Sequence, residues 1–373
     1  ESGSTRENVR SLMIMRPDNI GDGVIFSGAL EHIRRYWSKA RIDLYVQPHV
    51  RELFRHCPHV DRVCAMDRLQ PWDRMRRRGM RGSWFVERTL LRDAWVRWWL
   101  PKYDAVLYPV SAPTEEGLRI VRRLGSPYRA GFSGEQLRIA TLEDDRNAPA
   151  TVFTHALENT PENRWLHESK RAVEWLRHLG MSVEALTPVV WLTQNERRVA
   201  ETLIPDEKTL GVFVGAGSVW RQWPADKWIA FMKAQKQFKR IVVLGSSNER
   251  AIAEALQASA EEQSYEVENL TGRTSLLELA ACIERCAALV SNDSSGLHFA
   301  VATGVPAVGL LGGYHFGRYY PWGNPDIHRV ASVDMDCFYC NDDCKFKDWR
   351  CVRDIEVSLV VKELEQALQG EPK

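Results

Sequence analysis

Four short stretches of the sequence combine small residues with groups that hold protons or anions. Each follows an apolar run and opens a helical one. The first is Arg16-Pro17-Asp18-Asn19-Ile20-Gly21-Asp22. Glycines at 21 and 23 let the backbone turn tightly and come close to a ligand. Asp22, beside the start of a helix, can take a proton from an attacking hydroxyl. The competing reading is a helix cap, since Asp is a favoured capping residue. Arg16 and Asn19 in the same loop are candidate contacts for an acceptor. The stretch lacks the full G-x-G-x-x-G pattern, which argues against a dehydrogenase.

The second stretch is Gly215-Ala216-Gly217-Ser218, followed by Arg221-Gln222-Trp223-Pro224. Gly217 and Ser218 leave room for a bulky ligand against the backbone. The planar fork of Arg221 suits diphosphate oxygens, although a solvated loop anchored by Trp223 would read the same. In the third, Asn292-Asp293-Ser294-Ser295-Gly296-Leu297-His298, a helix begins near Gly296. The free N–H groups of a helix start attract a pyrophosphate. Ser294 and Ser295 add hydroxyls, Asp293 can hold sugar hydroxyls, and His298 is either a ligand contact or a packed histidine. The fourth, Gly245-Ser246-Ser247-Asn248-Glu249, places Glu249 where it either binds ribose hydroxyls or stabilises the helix start.

The elements that must position these groups alternate. Expected strands are 11–16, 41–47, 60–66 and 104–110, with helices over 24–37, 50–56 and 161–179. After residue 190 the alternation restarts: strands 209–215, 240–245, 288–292 and 306–311, and helices 224–235, 248–260, 276–286 and 296–303. The pattern predicts two α/β domains, each a parallel sheet doubly wound by helices. The predicted boundaries are 1–187 and 188–373, with Thr187-Pro188 as hinge. Ligands in such sheets bind beyond the carboxyl ends of the strands, where all four stretches fall. A last amphipathic helix carries Ile355, Leu359, Val360, Leu364 and Leu368 on one face.

The chain has 373 residues, 44% hydrophobic, and 50 Lys+Arg against 49 Asp+Glu, so net charge offers no argument for nucleic acid. No run approaches 18 apolar residues, and the polar start, 1–8, has no apolar signal core. Of 8 cysteines, four form Cys337-x2-Cys340-x3-Cys344-x6-Cys351. This is not the framework of a small secreted domain, and a reducing cytoplasm fits better. The four thiols are a candidate structural zinc or iron site, with free thiols or a disulfide as the other readings. Residues 74–99 mix arginines, including Arg77 and Arg81, with Trp84, Phe85, Trp95, Trp98 and Trp99. Such a helix packs into a core, binds the phosphates of an anionic glycolipid or glycan acceptor, or rests peripherally on the inner face of the cytoplasmic membrane. No recognised nucleic-acid module accompanies it.

Taken together, these motifs resemble glycosyltransferase family 9, the lipopolysaccharide heptosyltransferases. The likeness runs from about Leu12 to Leu368. It rests on Gly21-Asp22, Arg221-x-Trp223-Pro224, Asn292-Asp293-Ser294…His298-Phe299-Ala300 and Thr303-Gly304-Val305-Pro306. The resemblance implies a GT-B fold, with two Rossmann-like domains facing across a cleft and a C-terminal helix returning toward the N-terminal domain. It implies an acceptor on the first domain and a nucleotide-sugar donor, often ADP-heptose, on the second. The reaction would be inverting and need no catalytic metal or other cofactor. Asp22 would be the base. Gly217, Ser218, Arg221, Glu249, Asp293, Ser294, Ser295, Gly296 and His298 would form the donor site, and Arg16, Asn19, Arg77 and Arg81 would face the acceptor. Three positions depart from the family habit: Gly28 stands for a proline, Ser295 for a glycine, and Arg221 for the commoner lysine. A protein O-heptosyltransferase of the autotransporter-modifying type, a sugar-nucleotide 2-epimerase and a non-catalytic nucleotide-sugar-binding protein are the alternatives.

Overall fold

The computed structural model describes residues 8–66, 101–134, 151–160, 163, 165–260, 265–341 and 343–370. The chain divides into two compact units, Glu1–Leu186 and Thr187–Lys373. The first contains β1 (Ser11–Arg16), α1 (Ile20–Ser27), α2 (Ala29–Tyr36), β2 (Arg41–Val46), β3 (Arg62–Ala65), β4 (Ala105–Tyr108), α3 (Glu115–Leu124), β5 (Tyr128–Gly134), β6 (His155–Asn159) and α4 (Glu168–His178). The second contains α5 (Gln194–Leu203), β7 (Thr209–Phe213), α6 (Ala225–Ala234), β8 (Arg240–Leu244), α7 (Arg250–Ala258), β9 (Glu266–Asn269), α8 (Leu276–Arg285), β10 (Ala288–Asn292), α9 (Ser295–Thr303), β11 (Ala307–Leu310), β12 (His328–Ala331), α10 (Arg350–Arg353) and α11 (Val357–Gln369).

Each unit holds one six-stranded sheet, ordered β3-β2-β1-β4-β5-β6 and β12-β11-β10-β7-β8-β9. Every pairing is parallel. The first sheet has the dinucleotide-fold order, in which the strands run outward one way from β1 and then the other way from β4. The second sheet likewise runs outward from β7 to β9 on one side and from β10 to β12 on the other. The strand order reverses between β1 and β4 in one unit and between β7 and β10 in the other, so any ligand should lie beyond those strand ends. The architecture is α/β of the GT-B type.

The inner strands are apolar on both faces because helices cover both. In β1 every residue after Ser11 is buried. Its entry is fixed by Asp104, whose carboxylate accepts from the backbone N–H groups of Arg10 (2.9 Å) and Ser11 (2.8 Å). Some helices start on side-chain caps. Thr114 accepts from Gly117 N–H at the head of α3, and Glu278 accepts from Ser275 N–H (2.7 Å) at the head of α8. Gly125 and Gly304 stop α3 and α9 in the left-handed region, at φ 62° and 74°.

Several boundaries differ from the sequence expectation. The helix expected over 24–37 is two helices, α1 and α2, broken at Gly28. Ser27 Oγ donates back to Val24 O (2.7 Å), which bends a helix, and glycine then lowers its persistence. The helix expected from 161 begins at Glu168, behind His167, whose Nδ1 accepts from Ser169 N–H. Strands β5, β6, β9 and β12 and helices α3, α5 and α10 have no counterpart in the sequence reading. The final helix has core contacts in the second unit. Val360, Leu364 and Ala367 join the cluster that contains Trp228, Val308 and Leu310.

Candidate active site

In the first unit the β1 end delivers Arg16 and the start of α1 delivers Asp22. Asp22 Oδ2 accepts from Asn19 N–H (3.3 Å), so the carboxylate does cap its helix. It also lines a narrow cavity of ≈ 10 Å³, room for about one water. The walls include Arg16, Phe26, Pro109, Phe132, Glu168 and Arg171. Asp22 is thus a helix cap whose side chain also lines this cavity. Burial is the main force raising the Asp22 carboxyl, to about 7. The Asp18 carboxylate raises it further, Arg16 opposes, Glu168 raises, and the Asn19 N–H opposes. A carboxyl that titrates near neutrality is what a general base requires.

Arg16 is buried. It pairs with Asp18 at 2.7 Å, donates to Pro109 O, and lies over the Phe26 ring at 4.6 Å. It is thus a fixed wall of the cavity rather than an extended arm, while Asn19 is exposed at the loop tip. Two residues absent from the sequence reading complete this site. Glu168 accepts from Ser111 Oγ (3.1 Å) and lies 3.7 Å from the Arg171 guanidinium. Arg171, 1% exposed, donates to Asn159 Oδ1 (2.7 Å) and Asn163 O (2.6 Å), and Asn159 donates to Ser111 O (2.9 Å). Glu168 stands far from Asp22 in sequence, so no local spacing could have joined them. Arg77 and Arg81, with the rest of the basic stretch, lie outside the described residues.

The second unit gathers its predicted residues around the β7, β8 and β10 ends. Asn292 closes β10 and ties the site together. Its Nδ2 donates to Val214 O (2.6 Å), and its Oδ1 accepts from Trp223 N–H (3.0 Å). The loop carrying Gly217, Ser218 and Arg221 is thereby fastened to the strand that leads into Asp293. Trp223 is itself a buried anchor, donating from its indole to Ile355 O (3.1 Å). A Cβ at Gly217 would meet nothing within 4 Å, so the backbone there is open to a ligand. Arg221 lies over the rings of both Trp220 (4.7 Å) and Tyr314 (4.6 Å).

Ser294 precedes α9 in extended conformation, with its Oγ 3.3 Å from Ser291 Oγ. The first amides of α9, at Ser295 and Gly296, open a helix start of the kind that holds anions. Gly296 allows α9 to sit close to β7, since a Cβ there would fall 2.8 Å from the Phe213 ring. Glu249 accepts from Ser246 N–H and Oγ, both at 2.7 Å, as a helix cap. Its side chain also crosses above Gly215, placing it beside the β7 loop. His298 is buried, and its Nδ1 accepts from Trp322 Nε1 (3.1 Å). An indole only donates, so the neutral ring carries its proton on Nε2. This is the contact of a packed histidine.

The cysteine segment does not make the ligand set expected of it. Among the described residues, no group of three or more His, Cys, Asp or Glu side chains is placed to hold a metal ion. Burial is the main force raising the Cys351 thiol, and the neighbouring Cys337, Cys340 and Cys344 raise it further. The four are neighbours, but Cys351 is turned into a small core with Tyr314 and Val352. Two hollows of the second unit, ≈ 440 Å³ beside Arg197 and Glu284 and ≈ 570 Å³ beside Glu254 and Tyr265, contain none of the predicted site residues. Among the described residues, no helix is long and apolar enough to cross a membrane.

The same arrangement of sheets occurs in known transferases. The chain is 24% identical over 312 residues to lipopolysaccharide heptosyltransferase 2 of Salmonella typhimurium, covering 81% of this chain and 82% of that protein. Its fold matches a glycosyl transferase family 9 structure from Veillonella parvula with a TM-score of 0.71 at 16% identity, over 96% and 97% of the two chains. It matches the E. coli ADP-heptose lps heptosyltransferase II with a TM-score of 0.69 at 18% identity, over 96% and 98%. Residues 119–349 match the glycosyltransferase family 9 (heptosyltransferase) profile, and this chain, a glycosyltransferase, belongs to that family.

Proposed function

We propose that this glycosyltransferase moves a heptose from ADP-heptose to a lipopolysaccharide-type acceptor, with inversion at the anomeric carbon. The observation that carries the reading is Asp22, a carboxyl at the β1/β4 switch point whose surroundings raise it to about 7. In this reading Asp22 removes the acceptor hydroxyl proton as that oxygen attacks the sugar. The second unit receives the donor. Arg221 and the α9 start stabilise the leaving diphosphate, whose charge grows in the transition state. Gly217 and Ser218 let the donor approach the backbone, and Asp293 orients the sugar. Glu249 faces the nucleoside, and Ser294, Ser295 and Gly296 supply donors. The cation that a leaving diphosphate requires is supplied by Arg221 itself, so no step is assigned to a metal.

Support for heptose and ADP comes from the relatives: one is a lipopolysaccharide heptosyltransferase and another an ADP-heptose enzyme. The anionic acceptor would draw on Asn19 and on the arginines of 74–99, which also underlie the proposed peripheral membrane contact.

The test is calorimetric titration with ADP, UDP and GDP, paired with a transfer assay using ADP-heptose. Preference for ADP, its loss in Arg221→Ala, and an Asp22→Asn variant that binds donor but turns over about 10²–10⁴-fold more slowly would support the proposal. Turnover by Asp22→Asn at the wild-type rate would remove Asp22 as base. Donor interconversion without acceptor would favour an epimerase, and binding without any product a non-catalytic protein.

A further inference from the structure

One buried side chain touches two charged groups of the proposed donor site, Arg221 and Asp293. Tyr314 follows β11 and is 1% exposed. Its hydroxyl donates to Asp293 Oδ2 at 2.6 Å. Its ring lies 4.6 Å from the Arg221 guanidinium, and Trp220 meets the same ring edge-on at 5.3 Å. Trp220 in turn stacks on Trp349, with centroids 3.8 Å apart and planes 15° from parallel. Cys351 and Val352 pack against Tyr314, with Trp220, Met335 and Cys340 around them. Gly312 leaves room for the ring, since a Cβ there would fall 2.4 Å from it. The Tyr314 carbonyl accepts from Asn341 N–H (3.2 Å), which fixes the main chain to the cysteine segment.

These contacts have a definite physical effect. A guanidinium held against aromatic rings is fixed in orientation, with its N–H donors directed by the rings it lies on. A phenol that donates to one carboxylate oxygen fixes the carboxylate's rotation and leaves its second oxygen for another donor. Burial, and then the Asp293 charge, raise Tyr314 well above the usual phenol range, so the hydroxyl keeps its proton and remains the donor.

We propose that Tyr314 is a positioning residue of the donor site: its ring orients Arg221 toward the diphosphate, and its hydroxyl orients Asp293 toward the sugar. The proposal rests on the reading of Arg221 and Asp293 as donor contacts. It gives the 335–351 segment a role that needs no metal: it is the backing against which Tyr314 and Trp220 are held.

The experiment separates the two jobs. Calorimetry with ADP and with ADP-heptose, and steady-state transfer, are measured for Tyr314→Phe, Tyr314→Leu, Arg221→Ala, Asp293→Asn and the Arg221→Ala/Tyr314→Leu double variant. Tyr314→Phe keeps the ring, so ADP affinity should stay within about twofold, while affinity for ADP-heptose should fall about tenfold, as expected for one charge-assisted contact left unfixed. Tyr314→Leu should also weaken ADP, and in the double variant this loss should not add to that of Arg221→Ala. Tyr314→Phe that binds both ligands as wild type, or a fully additive double variant, would overturn the proposal. Tyr314→Phe is nearly isosteric and keeps the test valid if Tyr314→Leu fails to fold. If Arg221→Ala and Asp293→Asn both bind ADP and ADP-heptose as wild type, the donor-site reading itself fails, which is a different outcome.

Discussion

Asp22 makes the sharpest prediction, because one group should govern both rate and stability. In the unfolded chain its carboxyl titrates near 3.8, and in the fold near 7. Below pH 7 most of the base is therefore protonated. The rate constant kcat/KM for transfer should rise about tenfold per pH unit and level off above 7. Glu168 contributes negative charge across the cavity, so Glu168→Gln should move this limb to lower pH. Asp22→Asn should lose the limb altogether and run about 10²–10⁴-fold slower. Stability should move the opposite way. The fold holds this proton more tightly than the unfolded chain does, so the Asp22 contribution is present below 3.8 and is lost as pH rises through 7. Asn cannot ionise, so Asp22→Asn should be more stable than wild type at pH 8, and the gap should widen from pH 5 to pH 8. The whole shift would amount to ~4 kcal/mol. Solvent reaches the half-buried side chain, and screening brings the expected gap to about 1–2 kcal/mol. Urea unfolding at the two pH values measures it. A kcat/KM profile flat between pH 5.5 and 8, with a gap that does not change with pH, would refute the reasoning.

Arg171→Met leaves Glu168, Asn159 and the Asn163 carbonyl without their buried cation, and urea unfolding should show a loss of about 3–5 kcal/mol. Asn292→Ala strands Trp223 N–H and Val214 O, costing about 1–3 kcal/mol for each in thermal denaturation. ADP affinity should fall with it, because the Arg221 loop loses its tie to β10. Two glycines should behave oppositely under alanine replacement. Gly296→Ala pushes a methyl into Phe213 and should destabilise by about 1–3 kcal/mol. Gly217→Ala meets open space, so stability should change by less than about 0.5 kcal/mol, and calorimetry should show weaker ADP binding from the blocked backbone approach.

The legible part of the molecule was the part written in local pattern. Apolar runs followed by glycine-rich turns marked the β1, β7 and β10 ends, because a buried parallel strand must be apolar throughout and its ligand-facing turn must be small. Strands that interrupt this rule were missed. β6, His155–Asn159, is largely half-buried and carries His155, Glu158 and Asn159, and β9 carries Glu266, Glu268 and Asn269. Neither offers an apolar run to find. The proposed site residues divide in the same way. Asp22, Arg221 and Asp293 stand in short motifs. Glu168, Arg171, Asn159 and Tyr314 act across long loops, and only the folded chain brings them to the residues they serve. The cysteine spacing misled for a related reason. Spacing suggests chelation, but packing turned Cys351 toward Tyr314 and left no ligand set among the described residues.

The two sheets share one strand order, yet the chemistry proposed for them differs, and the difference lies in the loops and helix starts at the switch-point strand ends of each. After β1, the loop Pro17–Asn19 leads at once into α1, and the helix start is occupied by its own carboxylate, Asp22. A negative group already on the helix dipole leaves no site for an anion there, and it favours a proton or a hydroxyl instead. After β7, the open loop through Gly217 leads to Arg221, and the helix that starts at the switch point is α9, behind β10. That start carries Ser294, Ser295 and Gly296, and its nearby carboxylate, Asp293, is held by Tyr314. In the proposed reading, a helix start filled by a carboxylate goes with proton removal in the first unit, and one left to hydroxyls and amides goes with diphosphate binding in the second. An Asp22→Ser variant should therefore gain affinity for inorganic phosphate or sulfate at the first unit, while Asp22→Glu should not. A calorimetric titration that finds the two variants alike would show that the division of labour lies elsewhere in the loops.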